Sequence, residues 1–378
     1  MKKSLIALSF GTLGLGIAEF VMMGILPDVA QALNISITKA GHFISAYALG
    51  VCVGAPTLIL ARKFPLKKIL LTLVGFIMLG NLCAALSPNY HFMLLGRFLS
   101  GLPHGAYFGV ASIIAEKLAA KGRGSEAVAI MVAGMTVANL FGVPLGTALS
   151  TTISWRATFL LVTGWGIVIF YSIWRWVPQV ESLPDTGLKG QFHFLKSPAP
   201  WLILLATALG NGGIFCWYSY ITPLLTHTAH FKPDSITGLM VLAGLGMVIG
   251  NLVGGRLADR FTPGKVAATT QGMVCIILLL IFYFSHLSWL TIVLMCLCTA
   301  GLFAISSPQQ VSIIRYSKGG EMLGAGSVQI AFNLGNAIGA YIGGLAVHQG
   351  YQYPALFGIP LVLCGFVCQT IFFKKYER

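Results

Sequence analysis

The chain has 378 residues, of which 56% are hydrophobic and only 9% charged, yet basic residues outnumber acids 24 to 10 and give a formal charge of +14. Soluble domains need about a quarter of their residues charged, so a water-soluble globule is excluded. The basic excess would suit nucleic acid, but its distribution among the segments between apolar runs reads as a topology signal instead.

Apolar runs of roughly 20 residues, long enough to cross a bilayer, recur at about 4–27, 40–61, 69–87, 92–115, 126–149, 157–177, 200–225, 236–255, 265–285, 289–313, 322–347 and 353–373. The expectation is an all-α membrane protein of twelve transmembrane helices with short loops. The first run, MKKSLIALSFGTLGLGIAEF, has the basic start and apolar stretch of a secretory signal. It continues through Met22, Met23 and Leu26, and the orientation of the later spans needs it as the first span. It also holds Glu19, the one acid well inside a predicted span.

His42 in the second span and Asn81 in the third read as helix–helix hydrogen bonders or as functional polar groups. The fourth carries LLGRFLSGLPHG, with Arg97 and His104 among apolar and small residues. At 1.5 Å per residue, Glu19 falls roughly 20 Å above one edge and Arg97 roughly 8 Å below the other edge of a ~30 Å apolar core. The two therefore sit at similar depth. A charge there costs at least ~2.5–3.5 kcal/mol on insertion scales, so the two invite a pair or a shared hydrated cavity. His104, about two turns further along the same face, is a proton relay or a bond to a neighbouring helix.

The fifth span contains GMTVANLFGVPLGTALS, where Gly142 and Gly146 flank Pro144; a proline inside a helix frees a carbonyl and bends the helix. Residues 178–199, PQVESLPDTGLKGQFHFLKSPA, form the longest polar stretch and divide the chain. The expected organisation is a six-helix bundle at 1–177, a cytoplasmic linker at 178–199 and a second six-helix bundle at 200–378. In the seventh span Trp217, Tyr218 and Tyr220 line a substrate cavity or mark a membrane interface. Gln309 and Gln310 in the tenth, and Gln329, Asn333 and Asn336 in the eleventh, form polar stripes that face a pore or join helices. The eight cysteines show no zinc spacing and read as small packing residues; no metal and no cofactor is expected.

If the N-terminus is cytoplasmic, the inside segments hold Lys2, Lys3, Arg62, Lys63, Lys67, Lys68, Lys117, Lys121, Arg123, Arg175, Lys189, Lys196, Arg256, Arg260, Lys265, Arg315, Lys318, Lys374, Lys375 and Arg378. The outside segments keep Lys39, Arg156 and Lys232. This asymmetry predicts cytoplasmic termini. The halves also match at an offset of 197 residues: Asn139, Gly142 and Gly146 fall on Asn336, Gly339 and Gly343, and Ala61, Phe64 and Lys68 on Ala258, Phe261 and Lys265. Parallel repeats of this kind build transporters. Glycine ladders at four-residue spacing (Gly101, Gly105, Gly109; Gly246, Gly250, Gly254; Gly335, Gly339, Gly343) allow close helix contact.

GRLADRFTPGK at 255–265 resembles the loop signature of the major facilitator superfamily, and the resemblance gives Asp259, Arg260 and Gly255 a role in locking helix ends. The matching first-half loop, ARKFPLKKIL, departs from the pattern, with Arg62 where an Asp is expected and Pro65 where a Gly is expected. The fifth-span ladder resembles the antiporter signature, which implies a hinge and a seal against leak at Gly142, Pro144 and Gly146; an ordinary kinked, packed helix is the other reading. The fourth-span arginine, AEFVMMGILPD and SWRATFLL extend the likeness over most of the chain, towards the arabinose-efflux group of drug:proton antiporters.

The resemblance implies that Glu19 and Arg97 face a central cavity, where a carboxyl takes up and releases a proton as a cation approaches or withdraws. A static ion pair is the alternative. The expected function is proton-coupled export of a small molecule, a sugar or a drug-like compound, by alternating access in a bacterial inner membrane. The expected partners are that small molecule, protons and the lipid bilayer, with no nucleic acid, and the expected state is a monomer. An uptake symporter or uniporter of the same fold is the first alternative, and a membrane enzyme or lipid-handling protein the second.

Overall fold

The computed structural model describes residues 2–35, 37–183, 187–232 and 235–377, so Arg378 and residues 184–186 of the expected linker lie outside the described residues. Among the described residues the protein is all helix, with twelve helices long and apolar enough to cross a membrane. They are α1 (Lys2–Ala32), α2 (Ile37–Ala61), α3 (Leu66–Ala85), α4 (Tyr90–Leu118), α5 (Gly124–Thr152) and α6 (Trp155–Trp176). The others are α7 (Pro198–Tyr218), α8 (Ile236–Arg260), α9 (Pro263–Phe284), α10 (Ser288–Tyr316), α11 (Glu321–Gln349) and α12 (Tyr353–Glu377).

Helix starts follow local chemistry. Asn89, Ser154, Ser197 and Thr262 each accept a bond from a first-turn N–H of the helix that follows, which satisfies donors the helix itself cannot pair. Pro198 and Pro263 open α7 and α9, where a missing N–H costs nothing.

Several helices depart from their expected bounds, α8 among them, which runs past residue 255 to Arg260. The first helix runs past residue 27 to Ala32, and the Ser150 hydroxyl donates to the Asp28 carboxylate on its last turns. The seventh ends at Tyr218; the chain then turns and resumes as a short helical stretch through Thr228. The Trp217, Tyr218 and Tyr220 cluster lies at this break. Within the linker, Gly187–Gln191 and His193–Lys196 each form a short helical turn.

Pro144 has a visible consequence. Having no N–H to return to the carbonyl four residues back, it is preceded by a π-turn at Ala138–Gly142, and the Val143 N–H reaches the Ala138 carbonyl. A wide turn of this kind is a frequent device at functional sites.

Small residues bring helices together. A Cβ at Gly54 on α2 would lie 1.9 Å from the Leu102 carbonyl oxygen on α4, and one at Gly250 on α8 would lie 2.0 Å from that of Ala300 on α10. No side chain fits either place. The sequence repeat has a packing counterpart: Gly142 and Gly146 of α5 seat on Ile17 and Val21 of α1, while Gly339 and Gly343 of α11 seat on Gly212 and Cys216 of α7.

The chain divides into two compact units. One comprises Met1–Ala120, Ile130–His193 and Lys318–Ile330; the other comprises Lys121–Ala129, Phe194–Ser317 and Ala331–Arg378. Both α5 and α11 are thus shared out, each changing unit within the helix.

Candidate functional site

In the first unit three helices place polar groups inside otherwise apolar packing. Arg97 on α4 is 0% exposed, Glu19 on α1 is 8% exposed and His104 on α4 is 0% exposed. The Arg97 guanidinium donates through Nη1 to the Ala18 carbonyl at 2.6 Å and through Nε to the Phe43 carbonyl at 3.2 Å. It lies over the Tyr47 ring at 4.5 Å and towards the Phe159 ring at 5.9 Å. One arginine so ties α4 to α1 and α2 through main-chain acceptors, with a cation–π face beneath it. No hydrogen bond joins it to Glu19; its acceptor on α1 is the carbonyl one residue before.

Glu19 leans instead towards His104, whose Nδ1 is 3.8 Å from Glu19 Oε2. The same nitrogen is 2.9 Å from the Tyr47 hydroxyl, which also reaches the Leu15 carbonyl at 3.4 Å. The His104 ring stacks on Phe108 at 5.1 Å, and Gln329 of α11 interacts with its side chain. Glu19, Tyr47 and His104 therefore form a compact set of groups able to hold or pass a proton, with a fixed cation close by. Glu19 Oε2 and Arg97 Nη2 find no hydrogen-bond partner in the protein. An unpaired buried polar atom costs about 1–3 kcal/mol, a cost that a purely structural bridge would avoid.

The second unit holds other candidates. Trp217 is buried and Tyr218 half-buried, in an aromatic run with Phe215 and Phe332 at centroid separations of 5.7–6.0 Å. Tyr220 donates to the Ala340 carbonyl at 3.0 Å. Gln309 and Gln310 are buried on α10, and Gln309 Nε2 is 3.5 Å from Gln369 Oε1 on α12. Asn333 is half-buried on α11. Of the polar stripe on α11, Gln329 interacts with His104 of the Glu19 cluster.

The 255–265 loop gives a third grouping, all in the second unit. Asp259 accepts from the Ser125 and Glu126 N–H groups at 2.8 Å each and so caps the start of α5. A Cβ at Gly255 would lie 2.5 Å from the Ala129 Cβ, so the glycine admits the helix. Glu126 pairs with Arg256 at 3.3 Å and with Arg123 at 2.5 Å. Arg260 is exposed, stacked 5.7 Å from the Phe261 ring. The ion pair across the two helices is therefore made by Arg256 rather than by Arg260. In the first-half loop, Arg62 turns back onto the Ile59 carbonyl and Lys67 donates to the Trp174 carbonyl at 2.9 Å.

Sequence reasoning named Glu19, Arg97 and His104 but missed Tyr47, whose hydroxyl meets His104 and whose ring lies beneath Arg97. Its only signal was a phenol in mid-span. Gln369, Arg256 and Asn251, which donates to the Ala129 carbonyl at 2.7 Å, were missed as well.

Comparisons with known proteins agree with this architecture. The family described as Major Facilitator Superfamily matches residues 8–326 and 218–378. Over its whole length the chain is 45% identical to AraJ of Escherichia coli, a candidate transporter, covering 96% of that protein. It is 36% identical over 99% of its length to YdhP, an inner membrane transport protein of Escherichia coli, covering 96% of it. A probable sugar efflux transporter of Helicobacter pylori is 27% identical over 94% of this chain and 92% of its own. The solved structure of the fucose:proton symporter FucP of Escherichia coli superposes with a TM-score of 0.77 at 16% identity, covering 97% of this chain and 98% of that one. With twelve spanning helices, the glycine-lined helix contacts and the capped 255–265 loop, the chain belongs to the major facilitator superfamily and is a multi-pass membrane transporter.

Proposed function

We propose that the protein exports a small molecule, a sugar or a drug-like compound, in exchange for protons by alternating access in a bacterial inner membrane. The observation that carries this reading is the buried Glu19–Tyr47–His104 set held beside the carbonyl-bound Arg97. Ionisable groups inside membrane spans mark ion pathways more often than they mark packing. The name of the Helicobacter pylori relative supplies sugar as a substrate class, and that of YdhP supplies the inner membrane.

In this reading the chain works as a monomer, with bundles at 1–177 and 200–378 joined by a cytoplasmic linker at 178–199. Glu19 carries the exchanged proton. His104 and Tyr47 hold it or hand it on, and Arg97 favours its release by the attraction of a fixed cation. Trp217, Tyr218, Gln309, Gln310, Gln329 and Asn333 contribute to substrate binding. Gly142, Pro144 and Gly146 shape the hinge in α5, and Gly255, Asp259 and Arg260 steady the loop end of α8.

Proteoliposomes loaded with labelled sugars or lipophilic drugs and given a pH gradient test the reading. Native protein is expected to move substrate against its gradient with stoichiometric proton flux. Glu19→Gln keeps the shape but cannot release a proton, so it is expected to abolish uphill transport while retaining downhill exchange. Uphill transport by Glu19→Gln at the native rate would reduce the cluster to a structural bridge.

A further inference from the structure

The face of α8 that meets the start of α5 carries three contacts, each one turn apart. Asn251 is 0% exposed, and its Nδ2 donates to the Ala129 carbonyl at 2.7 Å. One turn on, Gly255 lets the Ala129 Cβ approach; one turn further, Asp259 caps the Ser125 and Glu126 N–H groups. Around the last contact lies the Arg123–Glu126–Arg256 ion group, whose arginine side chains are 59% and 70% exposed. The boundary between the compact units on α5 falls between Ala129 and Ile130, next to the carbonyl that Asn251 holds.

The repeat makes the arrangement one-sided. At the offset of 197, Ala129 corresponds to Gly326, Asn251 to Gly54 and Gly255 to Leu58. A Cβ at Gly326 would meet the Ala55 Cβ at 3.2 Å and the Leu58 Cδ1 at 3.7 Å, and Gly54 has no side chain with which to donate. The matching contact is apolar where the α5–α8 contact is polar.

We propose that Asn251 is a positioning residue for transport: its amide, clasping the Ala129 carbonyl below the ionic rim, holds the α5–α8 contact shut. The proposal rests on the alternating-access reading given above. The physics of the two layers differs. Exposed ion pairs contribute little and weaken as salt screens them. A hydrogen bond away from water is not screened, and its loss within a membrane bundle shifts a two-state balance by roughly three- to tenfold. The rim then sets how the contact responds to salt, and Asn251 sets how far it stays closed when the rim is loose.

The test uses the full chain, cysteine-free, with Met247→Cys as reporter. Met247 is 2% exposed and lies one turn before Asn251 on the same side of α8. A membrane-impermeant maleimide is added from the side on which α8 ends. Asn251→Ala is expected to speed labelling roughly three- to tenfold, equally at low and high NaCl. Asn251→Asp, which keeps the volume but replaces the amide donor, is expected to do the same. Glu126→Gln is expected to speed labelling at low NaCl only.

If Asp259→Asn opens the contact and neither Asn251 variant does, the proposal falls and alternating access stands. If no variant changes labelling, and reversing the pH gradient does not either, alternating access fails and the proposal with it. If both Asn251 variants lose the monodisperse fold that the parent shows, Asn251 is a packing residue and the proposal is overturned.

Discussion

Arg97 reaches two carbonyls on two different helices, and only a planar fork with spaced donors can do so while its face rests on Tyr47. A lysine would keep the charge but, with all its donors on one nitrogen and no planar face, cannot reproduce both spaced contacts and the stack on Tyr47. Arg97→Lys is therefore expected to lower stability by about 1.5–3 kcal/mol, the worth of one charged hydrogen bond, and to uncouple proton flux from substrate flux. Thermal unfolding in detergent and proton-linked flux in proteoliposomes check the two effects. Both charged members of this cluster were legible in the sequence because a charge in an apolar span is expensive and needs a reason. Tyr47 was not, since a tyrosine in a membrane span suits packing, interface and chemistry equally. The route of Arg97's hydrogen bonds was hidden for another reason: main-chain acceptors leave no trace in residue identity.

At the scale of elements, α5 contains the sharpest departure from regular geometry. The π-turn at Ala138–Gly142 follows from the missing N–H of Pro144. Pro144→Ala restores that N–H and is expected to narrow the turn, shift the Gly142 and Gly146 seats on α1, and raise passive proton leak. A pH-sensitive dye inside proteoliposomes measures the leak; a variant as tight as the native protein would leave Pro144 as a packing kink. That Pro144 interrupts regular helix was readable from sequence, whereas the form of the interruption, a widened turn at Ala138–Gly142, was not, because a helix can also answer a proline with a plain kink. The end of α8 behaves differently. Asp259→Asn keeps an acceptor for the α5 N–H groups but removes the charge that favours a helix start, worth about 0.3–1 kcal/mol. Expression is expected to be near native and transport several-fold lower in the reconstituted assay.

For the molecule as a whole, the distribution of lysine and arginine is the basis for orientation. With cytoplasmic termini, a cysteine-free chain carrying Lys189→Cys is expected to resist an external maleimide, and one carrying Lys232→Cys to react; both positions are exposed. The reverse pattern would invert the topology. Hydropathy located the twelve helices because burial in lipid demands apolar length. It did not locate the places where α5 and α11 pass from one compact unit to the other, at 129/130 and 330/331. A helix facing lipid and a helix facing another helix present similar apolar residues, so composition carries no record of partners.

The main-chain anchoring of Arg97 also has a genetic meaning. A side-chain partner can be lost by mutation and recovered by a compensating change opposite. The acceptors here belong to Ala18 and Phe43 as peptide groups, and any residue at those positions supplies the same oxygen. Random mutagenesis should therefore uncover position 97 repeatedly as intolerant while returning few null alleles at 18 and 43 that act through lost bonding. Second-site revertants of Arg97 variants should likewise be scarce at its two acceptors, arising instead where the spacing of α1 and α2 can be altered.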